Sequence, residues 1–346
     1  MAGIEVMTEG RPVGEVLAWS RSTVDPALRQ AVDTLPASMR RIAAYHFGWR
    51  DQHGDPAEGG GGKAIRAALV LLAAEATGGV PASAVPAAVA VELVHNFSLL
   101  HDDVMDGDVT RRHRPTAWSV FGTGEAILAG DAMLALAMEV LSDSGHPATR
   151  EQLRMLSAAV HNLLDGQSAD LAFEQRADVG VGECLGMAEG KTGALLGCAG
   201  ALGAVAGGGC PEQVEQLRGF GEKLGLAFQF VDDVLGIWGD PAVTGKPVHS
   251  DLRTRKKSLP VVAALTSGTP AGQELGALYH REQPLSGTDL VRAAELIDIA
   301  GGRDWSQTRA DDLLARALRE LDSAGVTTRA RAELYALAQL VTCRDH

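Results

Sequence analysis

Apolar positions along the chain recur at intervals of three and four. From residue 63 onward the run Ala64, Ala68, Leu71 and Leu72, with Glu75 on the opposite edge, and then Val89, Leu93, Asn96 and Leu100, follows the helical period. A modest helical stretch around 26–47 precedes them, and a polar, glycine-rich segment, DQHGDPAEGGGG at 51–62, separates the two. Further helices are predicted at about 124–142, 147–165, 183–206, 212–238, 257–266, 287–299, 306–323 and 327–343, most of them divided by Gly or Pro. Runs rich in Val, Ile, Thr and aromatics are missing, so the pattern predicts an all-α chain. No repeat of 20 to 50 residues is evident, which argues for a single bundle over a solenoid. The expected organisation is a lead-in helix and loop over 1–60, then one domain over 61–346.

Composition narrows the partners. The 346 residues are 46% hydrophobic and 22% charged, enough to bury a large core. A net charge of −13 disfavours nucleic acid, because phosphate backbones are held by surplus positive charge. An anionic partner must therefore be met locally, by a few basic residues or by metal ions. Four cysteines without CxxC spacing indicate a reducing compartment. The N-terminus has no basic segment leading into an apolar run, and the glycine-broken stretch from Leu195 to Gly208 is too short to span a membrane. The expectation is a cytoplasmic protein without a transmembrane segment.

The candidate chemistry is acidic. In LLHDDVMDGD, Asp102 and Asp106 are spaced i, i+4 and Asp103 and Asp106 i, i+3, at the end of a helix that begins near Pro86. Carboxylates so close repel unless a cation neutralises them. Oxygen-only ligands suit Mg²⁺, which takes one or two carboxylates together with substrate phosphate oxygens. A solvated helix end is the bland alternative. The second motif, FQFVDDVLGIWGD at 228–240, sets Asp232 and Asp233 in an otherwise apolar helix, where an unpaired carboxylate is costly. Two such segments together could hold a cluster of Mg²⁺ ions.

Basic residues complete the pattern. Lys63 and Arg66 stand three apart at a helix start, where backbone N–H groups also favour an anion. Arg111 and Arg112 follow the first acidic motif, and His95 lies two turns before Asp102. Lys191, Lys246 and Lys257 fall in GKTG, GKP and RKKSLP. Taken singly, each reads as an ordinary surface charge. Neither GKTG nor the glycine run before Lys63 has the spacing of a nucleotide P-loop, which disfavours ATP chemistry.

In order, the motifs are GGKxxR (61–66), ELVHNFSLLHDDVMD (92–106), RR (111–112), GQSAD (166–170), GKTG (190–193), FQFVDD (228–233), GDPAVTGKP (239–247) and KKSLP (256–260). The series resembles the trans-isoprenyl diphosphate synthase family over roughly residues 60 to 300. That resemblance implies an all-α bundle of ten or more helices around a central cavity, usually a homodimer, joining isopentenyl diphosphate head to tail to an allylic diphosphate. It implies three Mg²⁺ ions on Asp102, Asp106 and Asp232, supported by Asp103, Asp233, Gln167 and Asp170. Lys191, Lys246 and Arg111 would hold the allylic diphosphate, and Lys63, Arg66, His95 and Arg112 the isopentenyl diphosphate. Lys257, Thr192 and Gln229 would close the site or steer the intermediate.

The chain departs from the family at Gly236, where many members carry a third Asp, and Asp240 could compensate. In the family the growing chain runs down a tunnel along this helix, and its length follows the residues one or two turns below the first motif. By that resemblance Phe97, five before Asp102, with a small residue, Ser98, four before it, suits a C20 product, geranylgeranyl diphosphate. Phe97 as plain core packing is the bland alternative, and C15 farnesyl diphosphate is the alternative product. A class I terpene cyclase would not need Lys63, Arg66 and His95 for a second diphosphate. A non-catalytic partner subunit should have lost one of the acidic or basic clusters.

Overall fold

The computed structural model describes residues 10–57, 62, 64–241 and 247–342. The chain is mostly helical, as expected, and forms two compact units, each discontinuous in sequence. The first comprises residues up to Ala158, Cys198–Arg218 and Glu320–Leu337; the second comprises Ala159–Gly197, Gly219–Arg319 and the remainder.

In the first unit α1 (Val13–Asp33) and α3 (Ile65–Ala76) pack on α4 (Val85–Met105), which also packs along α5 (Ala117–Phe121) and α6 (Thr123–Ser142), while α2 (Ala37–His46) packs on α6. The modest stretch around 26–47 is thus the end of one helix and the whole of another. α4 is buried on nearly every side from Ala87 to Val94, as a helix apolar all round must be. The segment Pro81–Met105 is long and apolar enough to cross a membrane by length and composition, with 72% of its most apolar window buried inside the protein. Close helix approach is bought with glycine. On α9 (Ala194–Ala206) a Cβ at Gly203 would lie 2.2 Å from the Val70 carbonyl oxygen of α3. The N-terminus is tied to the C-terminal helix by Glu333, fully buried, which accepts from the Arg11 backbone N–H and Nε at 2.9 Å each.

A short hairpin has no counterpart in the sequence pattern. Thr110–Arg111 (β1) pairs antiparallel with Arg114–Pro115 (β2), and the turn residues Arg112 and His113 both take positive φ, 51° and 61°. Such turns favour Asn-Gly, so Arg-His carries no recognisable signal.

The second unit contains the C-terminal part of α7 (Thr149–Glu174), α8 (Val181–Ala188), a π-helical turn at Glu189–Gly193, and the later part of α10 (Pro211–Trp238). After it come α11 (Ser250–Arg253), α12 (Leu259–Leu265), α13 (Pro270–Tyr279), α14 (Gly287–Ile299) and most of α15 (Gly302–Ser323). α13 was not anticipated from the sequence. Phe230 of α10 meets Trp305 of α15 edge to face at 5.4 Å.

Gly203→Ala should lower stability by about 1 to 3 kcal/mol, because backbone cannot yield as a side chain does. A urea midpoint shift measures this, and an unchanged midpoint would show that α3 and α9 can separate at no cost.

Candidate active site

The first acidic motif ends α4, with Asp106 as its C-cap and no basic residue in the last turn. Carboxylates there oppose the negative end of the helix dipole, so this end favours a cation. Adjacent residues of a helix point about 100° apart, and the pair divides accordingly. Asp102 is half-buried and Asp106 exposed, whereas Asp103 is buried. Asp103 Oδ1 accepts from Arg111 Nε of the hairpin at 2.6 Å. Burial pushes the Asp103 carboxyl up to about 6 against the pull of Arg111, which leaves it ionised at neutral pH. The structure therefore sets Asp103 behind the motif as the anchor of Arg111.

A basic cluster adjoins it. Arg66 sits in the first turn of α3, and Glu92 of α4 accepts from the Ala67 backbone N–H at 3.1 Å, capping that helix from outside. Arg66 Nη1 lies 3.3 Å from His95 Nε2. Arginine can only donate, so Nε2 accepts and the neutral ring carries its proton on Nδ1. Burial, then Arg66 and Arg112, holds His95 well below its ordinary pKa. Arg66 Nε is buried without a hydrogen-bond partner. Arg112 occupies the left-handed turn, a strain of about 1 to 3 kcal/mol that marks functional positions. A Cβ at Gly62 would lie 2.7 Å from Arg112 Nη2, so the end of the glycine run packs against that guanidinium. Behind the cluster lies a cavity of about 30 Å³ lined by Tyr45, His46, Asp103, Arg111, Arg112 and Arg114. Gathering this many partly buried cations in a chain of charge −13 prepares the site for an anion. Lys63 lies outside the described residues.

Phe97 is 2% exposed and meets the His101 ring edge to face at 4.9 Å. Gly130 of α6 makes room for that ring, since a Cβ there would lie 2.3 Å from His101 Nε2. Ser98 Oγ donates to the His95 carbonyl at 2.8 Å.

The second unit repeats the division. Asp232 is exposed, and Asp233, one residue on, is 2% exposed. Asp233 Oδ1 accepts from Gln229 Nε2 at 2.8 Å and Oδ2 from the Leu259 backbone N–H at 2.9 Å, so this carboxylate caps α12. Burial raises its pKa to about 6. Thr192 Oγ1 in turn donates to Gln229 Oε1 at 2.7 Å. Lys191 Nζ pairs with Asp170 Oδ2 at 2.7 Å. Both Lys191 and Thr192 ride on the π-helical turn, a distortion that recurs at functional sites. Glycine on both elements allows the turn to contact α7: a Cβ at Gly166 of α7 would lie 2.4 Å from Lys191 N, and one at Gly190 of the turn 2.7 Å from Asn162 O. Both amide atoms of Gln167 are buried without partners.

The structure does not gather every candidate. Lys257 Nζ reaches the Glu174 carbonyl at 3.5 Å, whereas Lys256 feels Asp233, Asp251, Asp170 and Asp232, which together raise its pKa despite burial. Lys256 is the functional candidate the sequence reading passed over. Two adjacent lysines in RKKSLP differ only through packing. Lys246 lies outside the described residues. Among the described residues, no group of three or more His, Cys, Asp or Glu forms a closed metal site.

Residues 54–297 match the family model described as polyprenyl synthetase. The chain belongs to the polyprenyl synthetase family. It is 48% identical over 333 residues to the (2E,6E)-farnesyl diphosphate synthase of Mycobacterium bovis, covering 95% of this chain and 93% of that one. It is 45% identical over 331 residues to the geranylgeranyl diphosphate synthase of Mycobacterium tuberculosis, with the same coverage. The crystal structure of the polyprenyl synthetase from Streptomyces coelicolor A3(2) superposes with a TM-score of 0.91 at 50% identity, covering 95% of this chain and 99% of that one. This polyprenyl synthetase is accordingly a prenyltransferase of head-to-tail chain elongation.

The histidines behind the basic cluster make the fold acid-sensitive. His46 is held down to about 3 by burial and then by Arg111 and Arg112. The unfolded chain takes up that proton near pH 6.5, so stability should fall as pH drops below about 6.5. Melting temperatures at pH 7.5 and 5.5 should differ more in the wild type than in His46→Asn; equal differences would show that His46 is not held neutral.

Proposed function

We propose that this prenyltransferase condenses isopentenyl diphosphate with an allylic diphosphate in the presence of Mg²⁺, giving geranylgeranyl diphosphate, C20. The observation that carries the length is Phe97, buried five residues before Asp102, with the small Ser98 beside it. Phe97 would close the tunnel and Ser98 leave it open for one isoprene unit beyond a C15 floor. Farnesyl diphosphate is the second reading, favoured by the farnesyl synthase relative at 48% identity against 45% for the geranylgeranyl synthase.

Arg66, His95 and Arg112, with Lys63, bind isopentenyl diphosphate, and the unpartnered Arg66 Nε supports this. Lys191 binds the allylic diphosphate, as do Lys246, Arg111 and Lys256. Thr192 and Gln229 hold their relay to Asp233, which keeps the carbonyl and hydroxyl dipoles of that helix face fixed beside the developing allylic cation. Asp102, Asp106 and Asp232, accessible where Asp103 and Asp233 are buried, would be the carboxylates that hold Mg²⁺, three ions in this reading. The metal's contribution, when bound, is to draw charge onto the departing diphosphate. Asp103 and Asp233 serve as anchors. Two copies of the chain forming a homodimer in the cytoplasm complete the reading.

Three results test it. With isopentenyl diphosphate, each of dimethylallyl, geranyl and farnesyl diphosphate, and Mg²⁺, products sized after dephosphorylation should be C20, and a C15 end-point would favour the second reading. Phe97→Ala should move the end-point to C25 or longer and Ser98→Phe to C15, because packed walls resist even one methylene. An unmoved distribution in Phe97→Ala would place the floor elsewhere. Arg66→Gln should raise the isopentenyl KM by about tenfold or more and the allylic KM far less, the cost of one charge-assisted contact. Equal rises in both would misassign the pocket.

A further inference from the structure

Position 236 stands one helical turn beyond Asp232 on α10 and carries glycine. A Cβ built there would lie 2.3 Å from Asp251 Oδ2, 2.5 Å from its Cγ and 2.8 Å from Oδ1. The Asp251 carboxylate thus occupies the volume a side chain at 236 would need. It is delivered by α11, entered through His249 at φ 62°, and Ser250 Oγ pins the approach by donating to the Gly236 carbonyl at 3.2 Å. The same hydroxyl lies 3.3 Å from Asp251 Oδ1.

Asp251 is buried, and the Ser250 hydroxyl that reaches it has one proton to share with the Gly236 carbonyl, so the carboxylate needs a cation nearby. Lys256, in the same loop, supplies a cation that the Asp251 charge favours. Its backbone N–H donates to the Asp251 carbonyl at 2.9 Å, closing residues 251–256 into a tight loop, and Asp251 is second only to Asp233 among the charges that favour its ammonium. Tyr279 Oη is also buried without a hydrogen-bond partner among the described residues, and burial, then the Asp251 charge, raises its pKa. A third carboxylate has thus reached the second acidic cluster from a different element of the chain, at the place where residue 236 offers none.

We propose that Asp251 is a positioning residue of the prenyl transfer: its carboxylate fills the space left by Gly236 and fixes the Lys256 ammonium beside Asp233, where it meets the allylic diphosphate. The inference rests on the reading of this cluster as diphosphate machinery. It also explains why glycine stands at 236. A side chain there and the present Asp251 rotamer exclude one another, and a single carboxylate serves the place.

The test is a swap. Asp251→Asn keeps the shape and removes the charge, and should lower kcat about 10- to 100-fold, the loss typical of one electrostatic support. The allylic KM should rise while the isopentenyl KM stays within about twofold, since uniform damage to the fold would move both. Asp251→Gly should be at least as impaired, and Gly236→Asp/Asp251→Gly should recover about tenfold over it by restoring a carboxylate to the same space. The Mg²⁺- and diphosphate-induced rise in melting temperature should be smaller in Asp251→Asn and restored in the swap. Wild-type kinetics in Asp251→Asn, or a swap no better than Asp251→Gly, would overturn the proposal. If Asp251→Asn does not fold, the swap decides alone: recovery supports the role and an inactive swap refutes it. Asp232→Ala, measured in parallel, separates the two levels. Loss there with wild-type kinetics in Asp251→Asn overturns the role of Asp251 only, whereas wild-type kinetics in both removes the diphosphate reading as well.

Discussion

Burying a carboxylate costs several kcal/mol unless donors replace its water, and in each of its two acidic motifs this chain does so one residue after an accessible aspartate. Asp103 is held by Arg111 at 2.6 Å; Asp233 is held by Gln229 and the Leu259 N–H. Each buried member fixes something the chemistry uses. Asp103 ties the hairpin that carries Arg111 and Arg112 to the end of α4. Asp233 orients Gln229, and through it Thr192, and caps the helix that follows Lys256. The accessible members, Asp102 and Asp232, are left at the surface of the same helices. Adjacent positions on a helix can do this because 100° of rotation separates them.

The charge distribution follows from the same constraint. A chain of net charge −13 concentrates Arg66, Arg111, Arg112 and Arg114 about one end of α4, with Glu92 and Asp103 as the built-in counter-charges. Burial and mutual repulsion lower the pKa of Arg66 and Arg112 and keep His95 and His46 neutral. Adding an anion relieves that repulsion. The left-handed backbone of Arg112 is the local strain that accompanies the cluster.

Much of this could be read from the sequence because helical periodicity and motif order are local properties. α4, α6, α10 and α14 lie where the apolar period put them, and the motif series named the family that the comparisons identify. Other features depend on tertiary contact. Two-residue strands around an Arg-His turn have no pattern to detect, and α13 is too short and too glycine-rich for its period to stand out. The split between Asp102 and Asp103, or between Lys256 and Lys257, is invisible where identical residues are adjacent. Likewise Gly236 read as a missing ligand, because only folding brings Asp251 from fifteen residues away to the same place.

The division of labour within an acidic pair is tested most directly by measuring unfolding free energy and turnover together for Asp102→Asn and Asp103→Asn. The account predicts that Asp102→Asn keeps wild-type stability and loses about 10²-fold or more in kcat. Asp103→Asn should instead lose about 3 to 5 kcal/mol of stability, the usual cost of breaking a buried ion pair. Equal losses of stability in the two variants, or a stable Asp103→Asn with the turnover defect of Asp102→Asn, would contradict it.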